Sequence, residues 1–316
     1  MTRQKKTVFG IAMRNFTRYP EMPSAQGLIE YGVRVEELGY ESVWAWDHVL
    51  LGVDPSFPIH EALAILTAVA ARTSKIKIGT GVLVMPIRNP VLLAKELATL
   101  DHISNGRLIL GTAVGWYKRE FDSLGADFTQ RGKIMEQSLE ILKRLWTEER
   151  VDGVYPPYNL RGAVLYPKPV QKPHPPILIG GYVDAVLKRA ATKGDGWLTY
   201  YYTVDSFKRS WAKIRAFAEQ AGRDPDTLIS TNQLPICIGP RAKIEAPMKH
   251  WLQTEWDYAS WSESTMDSAI IGTPEECAEQ LRPHLETGID RIIFVPYRYE
   301  TEQVEAIARD MIPQLD

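Results

Sequence analysis

Cysteine is nearly absent: Cys237 and Cys277 are the only two among 316 residues. So few thiols exclude a disulfide-stapled secreted fold and a cysteine-rich zinc site, and they fit a reducing cytoplasm. Long apolar runs are missing as well. The longest, such as Ile76 to Pro86, are too short and too interrupted to span a bilayer. The basic start, Met1-Thr2-Arg3-Gln4-Lys5-Lys6, reads as a solvated tail. The apolar run after it, Val8 to Met13, stops at Arg14, which is too short for a signal-peptide core. There is no excess charge of one sign either. A formal net charge of −2 points to neither nucleic acid nor an anionic membrane surface. The sequence also lacks an H-x-x-x-H or carboxylate cluster with metal-ligand spacing, a G-x-S-x-G nucleophile elbow and a P-loop.

What is present is alternation. Strand-like segments fall at Val8–Met13, Val43–Trp46, Lys75–Val84, Arg107–Val114, Pro176–Ile179, Gly196–Tyr200, Thr231–Ile238 and Arg291–Pro296. Helical patterns separate them. Asn89-Pro90 and Thr273-Pro274-Glu275-Glu276 carry helix-start signals. Met135, Leu139, Leu142, Leu145 and Trp146 share one helical face. Eight strands, no internal repeat and no linker predict one domain over residues 1–316, a (β/α)8 barrel. Insertions are expected after the fourth strand (151–175, rich in Pro, Gly and Tyr) and after the seventh (246–264, rich in Trp and charge). A doubly wound sheet is the alternative, disfavoured because no strand leads into a G-x-G-x-x-G turn.

A barrel gathers its strand ends on one face, so candidate chemistry is read there. The second strand ends in Trp46-Asp47-His48, a carboxylate and an imidazole beside indoles. His48 could exchange a proton or donate a hydrogen bond, or simply be satisfied by Asp47. His60, His102, His174, His250 and His284 lack such a setting. Gly79 and Gly81 interrupt the third strand, either for close approach of a flat ligand or for a barrel bend. Gly180-Gly181 precedes a helix start near Val183-Asp184, a place where backbone N–H groups can meet a phosphate. Trp46, Trp116, Tyr117, Tyr201, Tyr202, Trp256 and Trp261 suggest a pocket for a planar or apolar ligand. With neither metal nor nucleophile in view, an organic cofactor is expected.

At these residues the chain resembles the bacterial-luciferase-like family of flavin- and deazaflavin-dependent oxidoreductases. The resemblance is carried by Leu38-Gly39-Tyr40-Glu41-Ser42-Val43-Trp44, Asp47-His48, Ile78-Gly79-Thr80-Gly81-Val82, Arg88-Asn89-Pro90, Asn105-Gly106-Arg107-Leu108, Gly115-Trp116, Gly180-Gly181, Gly194-Asp195-Gly196-Trp197 and Gly272-Thr273-Pro274-Glu275-Glu276, in family order along nearly the whole chain. It implies a (β/α)8 fold and is nearest to the branch that uses coenzyme F420. By position, Asp47 would lie against the deazaflavin and His48 near its reacting carbon. A cis peptide at Gly81-Val82 would support the ring. Val84, Val114 and Gly115 would line it, and Gly180, Gly181 and Val183 would hold the phosphate.

One departure stands out. Sugar-phosphate dehydrogenases of that branch carry a catalytic glutamate directly after the fourth-strand glycine, where this chain has Trp116. A less polar substrate is therefore expected, with Glu120 a possible partial substitute for the acid. The expected activity is hydride transfer between F420 and a small organic substrate in the cytoplasm, by a homodimer. The alternative is a two-component monooxygenase using FMNH2 from a partner flavin reductase. Two other readings are a non-catalytic cofactor-binding protein and a phosphosugar barrel enzyme. A basic groove for the acidic F420 tail could be formed by Lys118, Arg119, Lys188 and Arg189.

Overall fold

The computed structural model describes residues 6–53, 56–255 and 265–315. The chain alternates strand and helix: β1 (Val8–Ala12), α1 (Ala25–Glu37), β2 (Ser42–Ala45), α2 (Ala62–Arg72), β3 (Lys77–Thr80), β4 (Leu83–Val84), α3 (Pro90–Ile103), β5 (Leu108–Ala113), α4 (Lys118–Leu124) and α5 (Arg131–Thr147). A hairpin of β6 (Val151–Tyr155) and β7 (Tyr158–Ala163) follows. Then come β8 (Ile177–Gly180), α6 (Asp184–Lys193), β9 (Gly196–Tyr200), α7 (Val204–Gln220), β10 (Ile229–Ile238), α8 (Arg241–Glu255), β11 (Ile270–Gly272), α9 (Pro274–Leu285), β12 (Arg291–Pro296) and α10 (Thr301–Ala306).

Every barrel pairing is parallel. The order runs β12-β1-β2-β3-β5-β8-β9, and β10 closes the ring by pairing with both β9 and β12. This is the eight-stranded barrel the alternation predicts. Side chains alternate across each strand. One set, including Ala12, Trp44, Ile109, Leu178, Leu198 and Ile293, fills the barrel interior. The other, including Ile11, Val43, Ile78, Leu110, Ile179 and Phe294, packs under the helices. The helices start where side chains cap them. Asn89 accepts from the Val91 and Leu92 N–H groups, and Thr273 with Glu276 forms a reciprocal capping box. Each such cap stabilises its helix by about 1 kcal/mol.

The structure differs from the sequence reading in four places. The third strand is not continuous: it breaks at a cis Gly81–Val82 peptide and resumes as β4. Helix α4 lies where none was assigned, and its stop signal is Gly125 in the left-handed conformation (φ 69°). The short strand β11 extends β10 beyond the barrel proper. The last helix ends at Ala306 and passes through a wider turn and then a tighter one, instead of running unbroken to Leu315. Within the second insertion, α8 covers residues up to Glu255. Trp256 and Trp261 lie outside the described residues.

The amino-end mouth of the barrel is sealed by fixed charges. Arg107, 9% exposed, donates to the carbonyls of Ser104, Ile76, Ala70 and Thr73. Arg291 makes a two-point ion pair with Glu41 at 2.9 and 3.0 Å. That pairing with Arg291, together with Lys77, outweighs the cost of burial and holds the Glu41 carboxyl down at about 2.

Candidate active site

At the carboxyl-end mouth the strand ends surround a partly open cavity of about 280 Å³. Asn15, fully buried just after β1, grips the end of β2. Its side-chain oxygen accepts from the Trp46 N–H at 2.9 Å, and its amide donates to the Trp46 and His60 carbonyls. That clamp sets where the next two side chains go.

Asp47 and His48 do not bond each other. Consecutive side chains of an extended segment point to opposite sides, and these two find different partners. Asp47, 3% exposed, accepts from the Val84 N–H at 2.8 Å and from Arg88 at 2.7 Å. Arg88 also donates to Glu61, the residue that caps α2. Burial pushes the Asp47 carboxyl upward, against the pull of Arg88 and the Val84 N–H. Asp47 thereby braces β4 from behind, two residues beyond the cis peptide.

His48 turns the other way. Its Nδ1 lies 3.0 Å from Oε2 of Glu120 on α4, whose side chain is fully buried. Oε1 of the same carboxylate accepts from the backbone N–H groups of Val49 and Leu50. Burial alone would raise this carboxyl. The hydrogen bond and charge of His48, with the two N–H donors, outweigh it and bring the group below the usual range. Glu120, named from the sequence as a substitute for the missing acid, thus meets His48. The acid comes from four residues further along than the family position, because α4 turns it back toward the strand end. Trp116 packs edge-on against the imidazole, with ring centroids 5.7 Å apart.

The two third-strand glycines have different reasons. A Cβ on Gly79 would lie 2.3 Å from the Trp44 indole, so Gly79 serves interior packing. A Cβ on Gly81 would meet nothing closer than 3.7 Å; here the chain takes the cis peptide, and Gly81 and Val82 face the cavity. Gly180 is needed by its neighbour, since a Cβ there would sit 2.8 Å from Val82. Gly115 (φ 78°) and Gly181 (φ 124°) hold backbone conformations that suit glycine.

Of the residues singled out from the sequence, the cavity gathers Trp46, Asp47, His48, Gly81, Val82, Val84, Val114, Gly115, Trp116, Gly180, Gly181, Val183 and Tyr201. Tyr117 is not among its walls; its ring packs at a tilt against Trp116, 5.5 Å between centroids. The four cations named for a basic groove lie outside the cavity wall: Lys118 is tied to Asp122, and Arg189 is drawn under Glu136 of α5. The cation that does line it, Arg131 at the start of α5, was missed, because nothing local to its sequence marks it. Arg131 donates to the Phe128 carbonyl and packs over the Phe128 ring, while its Nε is buried without a hydrogen-bond partner. Phe16, Leu51, Phe57 and Ile59, from the loops after β1 and β2, were also missed and make a wholly apolar part of the wall.

A closed parallel barrel with a partly open cavity at its carboxyl-end mouth, one buried acid–imidazole pair and no group of three or more metal-ligating side chains among the described residues belongs to the cofactor-using barrel oxidoreductases. The family model for luciferase-like monooxygenases matches residues 9–291, and the chain belongs to that family. It is 28% identical to an F420-dependent glucose-6-phosphate dehydrogenase of Amycolatopsis mediterranei (strain U-32), over 91% of this chain and 94% of that one. It is also 28% identical to an FMNH2-dependent dimethylsulfone monooxygenase of Pseudomonas putida, over 80% of this chain and 78% of the relative. Among solved structures, an F420-dependent secondary alcohol dehydrogenase in complex with an F420-acetone adduct superposes with a TM-score of 0.84 at 21% identity, over 98% of this chain and 99% of the other.

Proposed function

We propose that the chain transfers a hydride between F420 and a small, weakly polar organic substrate. The observation that carries this reading is the placing of His48, backed by buried Glu120, on the same cavity as the Gly81–Val82 bulge. The residues fit such a cofactor. Val82, Val84 and Val114 offer an apolar wall for a ring, and the positive charge of Arg131, on the same cavity as Gly180, Gly181 and Val183, suits a phosphate. When bound, the deazaflavin supplies the carbon that takes or gives the hydride.

The chain's own residues do the rest. Asp47 fixes the Val84 N–H and with it the wall behind the ring. His48 takes or gives the accompanying proton at Nε2, the ring nitrogen that Glu120 does not occupy. Phe16, Leu51, Phe57 and Ile59 exclude water and offer no partner to a charged substrate. With Trp116 in place of an acid after Gly115, a sugar phosphate is a poor fit.

A second reading is a monooxygenase using FMNH2 from a flavin reductase; the similarity to the Pseudomonas putida enzyme favours it. The test is a binding titration, followed by fluorescence, with F420 and FMN, each oxidised and reduced. Tighter binding of F420, followed by substrate-dependent change in its absorbance, supports the first reading. Tighter binding of reduced FMN, with oxygen consumption, replaces it by the second.

A further inference from the structure

Glu120 does more than fill space beneath the mouth. It is a buried carboxylate with three acceptor contacts and no cation bonded to it among the described residues. Its two oxygens have separate duties. Oε1 takes the Val49 and Leu50 N–H groups, which ties the loop after β2 to α4. Among the described residues, Oε2 is bonded only to the imidazole Nδ1. An ionised carboxylate has no proton to donate. Because this carboxyl is held below its usual range, it is ionised at neutral pH. The proton shared between Oε2 and Nδ1 must then sit on nitrogen.

We propose that buried Glu120 is a positioning residue that locks His48 as the Nδ1–H tautomer, so that a neutral His48 presents the Nε2 lone pair to the cavity. This rests on reading His48 as the proton-handling group, and it adds a direction. In its neutral form the imidazole accepts a proton from the substrate side at Nε2, and in its protonated form it returns one there. Asp47 does not compete for this role, since both its oxygens are engaged by Val84 and Arg88. Trp116 meets the ring edge-on and keeps it in one orientation.

The arrangement makes a sharp prediction for Glu120→Gln. The single amide oxygen is needed by the two backbone N–H donors, so the amide NH2 is turned toward Nδ1. An NH2 group there can only donate, and the neutral imidazole must move its proton to Nε2. The experiment is 15N-histidine NMR on the cofactor-free protein above the pH at which imidazole protonates, with His48→Gln to assign the signals. The wild type is expected to show Nδ1 protonated and Nε2 bare, and Glu120→Gln the reverse. Glu120→Asp, which keeps an acceptor-only carboxylate, is expected to retain the wild-type tautomer.

An Nε2–H tautomer in the wild type overturns the proposal whether or not the variants fold. So does a Glu120→Gln protein with the tautomer unchanged. Because no cofactor is present, this outcome is independent of the F420 and FMN titration. A failed cofactor assignment leaves the tautomer result standing, and the reverse is also true.

Discussion

The two ends of the barrel both bury charge, and they use it differently. At the amino end, Arg107 spends its guanidinium on four carbonyls, and Arg291 closes on Glu41. These donors stay charged through the physiological range, and their acceptors are fixed. At the carboxyl end, one acid is paired with an imidazole and one arginine, Arg131, lines the cavity. The first end ties its charges to fixed acceptors. The second sets an imidazole and a cation on the wall of a partly open cavity. A barrel can put polar groups in both mouths, but only those that line a cavity can meet a ligand.

Substitutions can break this contrast, and the largest effect is expected at the amino end. Arg107→Ala strands four buried carbonyls and should lower unfolding free energy by about 4 kcal/mol, read by denaturant titration. A loss below about 1 kcal/mol would show that water replaces the guanidinium freely. Next comes His48→Ala, expected to cut turnover about 10²-fold or more while cofactor affinity stays within about tenfold, or 1.4 kcal/mol. Unchanged turnover removes His48 from the mechanism.

Glu41→Gln follows, with a dependence on pH. The folded Glu41 carboxyl lies at about 2, depressed from its unfolded value. Its ionised form therefore stabilises the fold at neutral pH by about 3 kcal/mol. That stabilisation is full above the usual carboxylate range and drains away as pH falls through it toward 2. Wild type and variant should thus converge in acid. A gap that stays constant down to pH 3 would rule out this ion pair as its source.

The smallest effect is that of Arg131→Ala. It should weaken binding of a phosphate-bearing cofactor about tenfold and flatten the salt dependence of that binding. Affinity equal to the wild type at low salt would remove Arg131 from the anion end.

Much of the fold could be read along the chain because its signals are local. The two-residue strand period, the helix caps at Asn89 and Thr273, and glycines after strands all act within a few residues. The strand ends named the cavity's residues for the same reason: parallel strands all deliver their carboxyl ends to one face. Helix α4 was legible in principle, since Gly125 marks its stop, and with α4 assigned Glu120 falls in its first turn. Arg131 carried no such mark.

What the sequence determined by itself was the barrel and most of the strand-end side chains at its mouth, because periodicity and capping are properties of neighbours in the chain. Which of those side chains meet was decided only by tertiary structure. Asp47 and His48 are adjacent in sequence, yet one goes to Arg88, 41 residues on, and the other to Glu120, 72 residues on. Extended backbone throws consecutive side chains apart, and closing the ring brings distant loops to each of them.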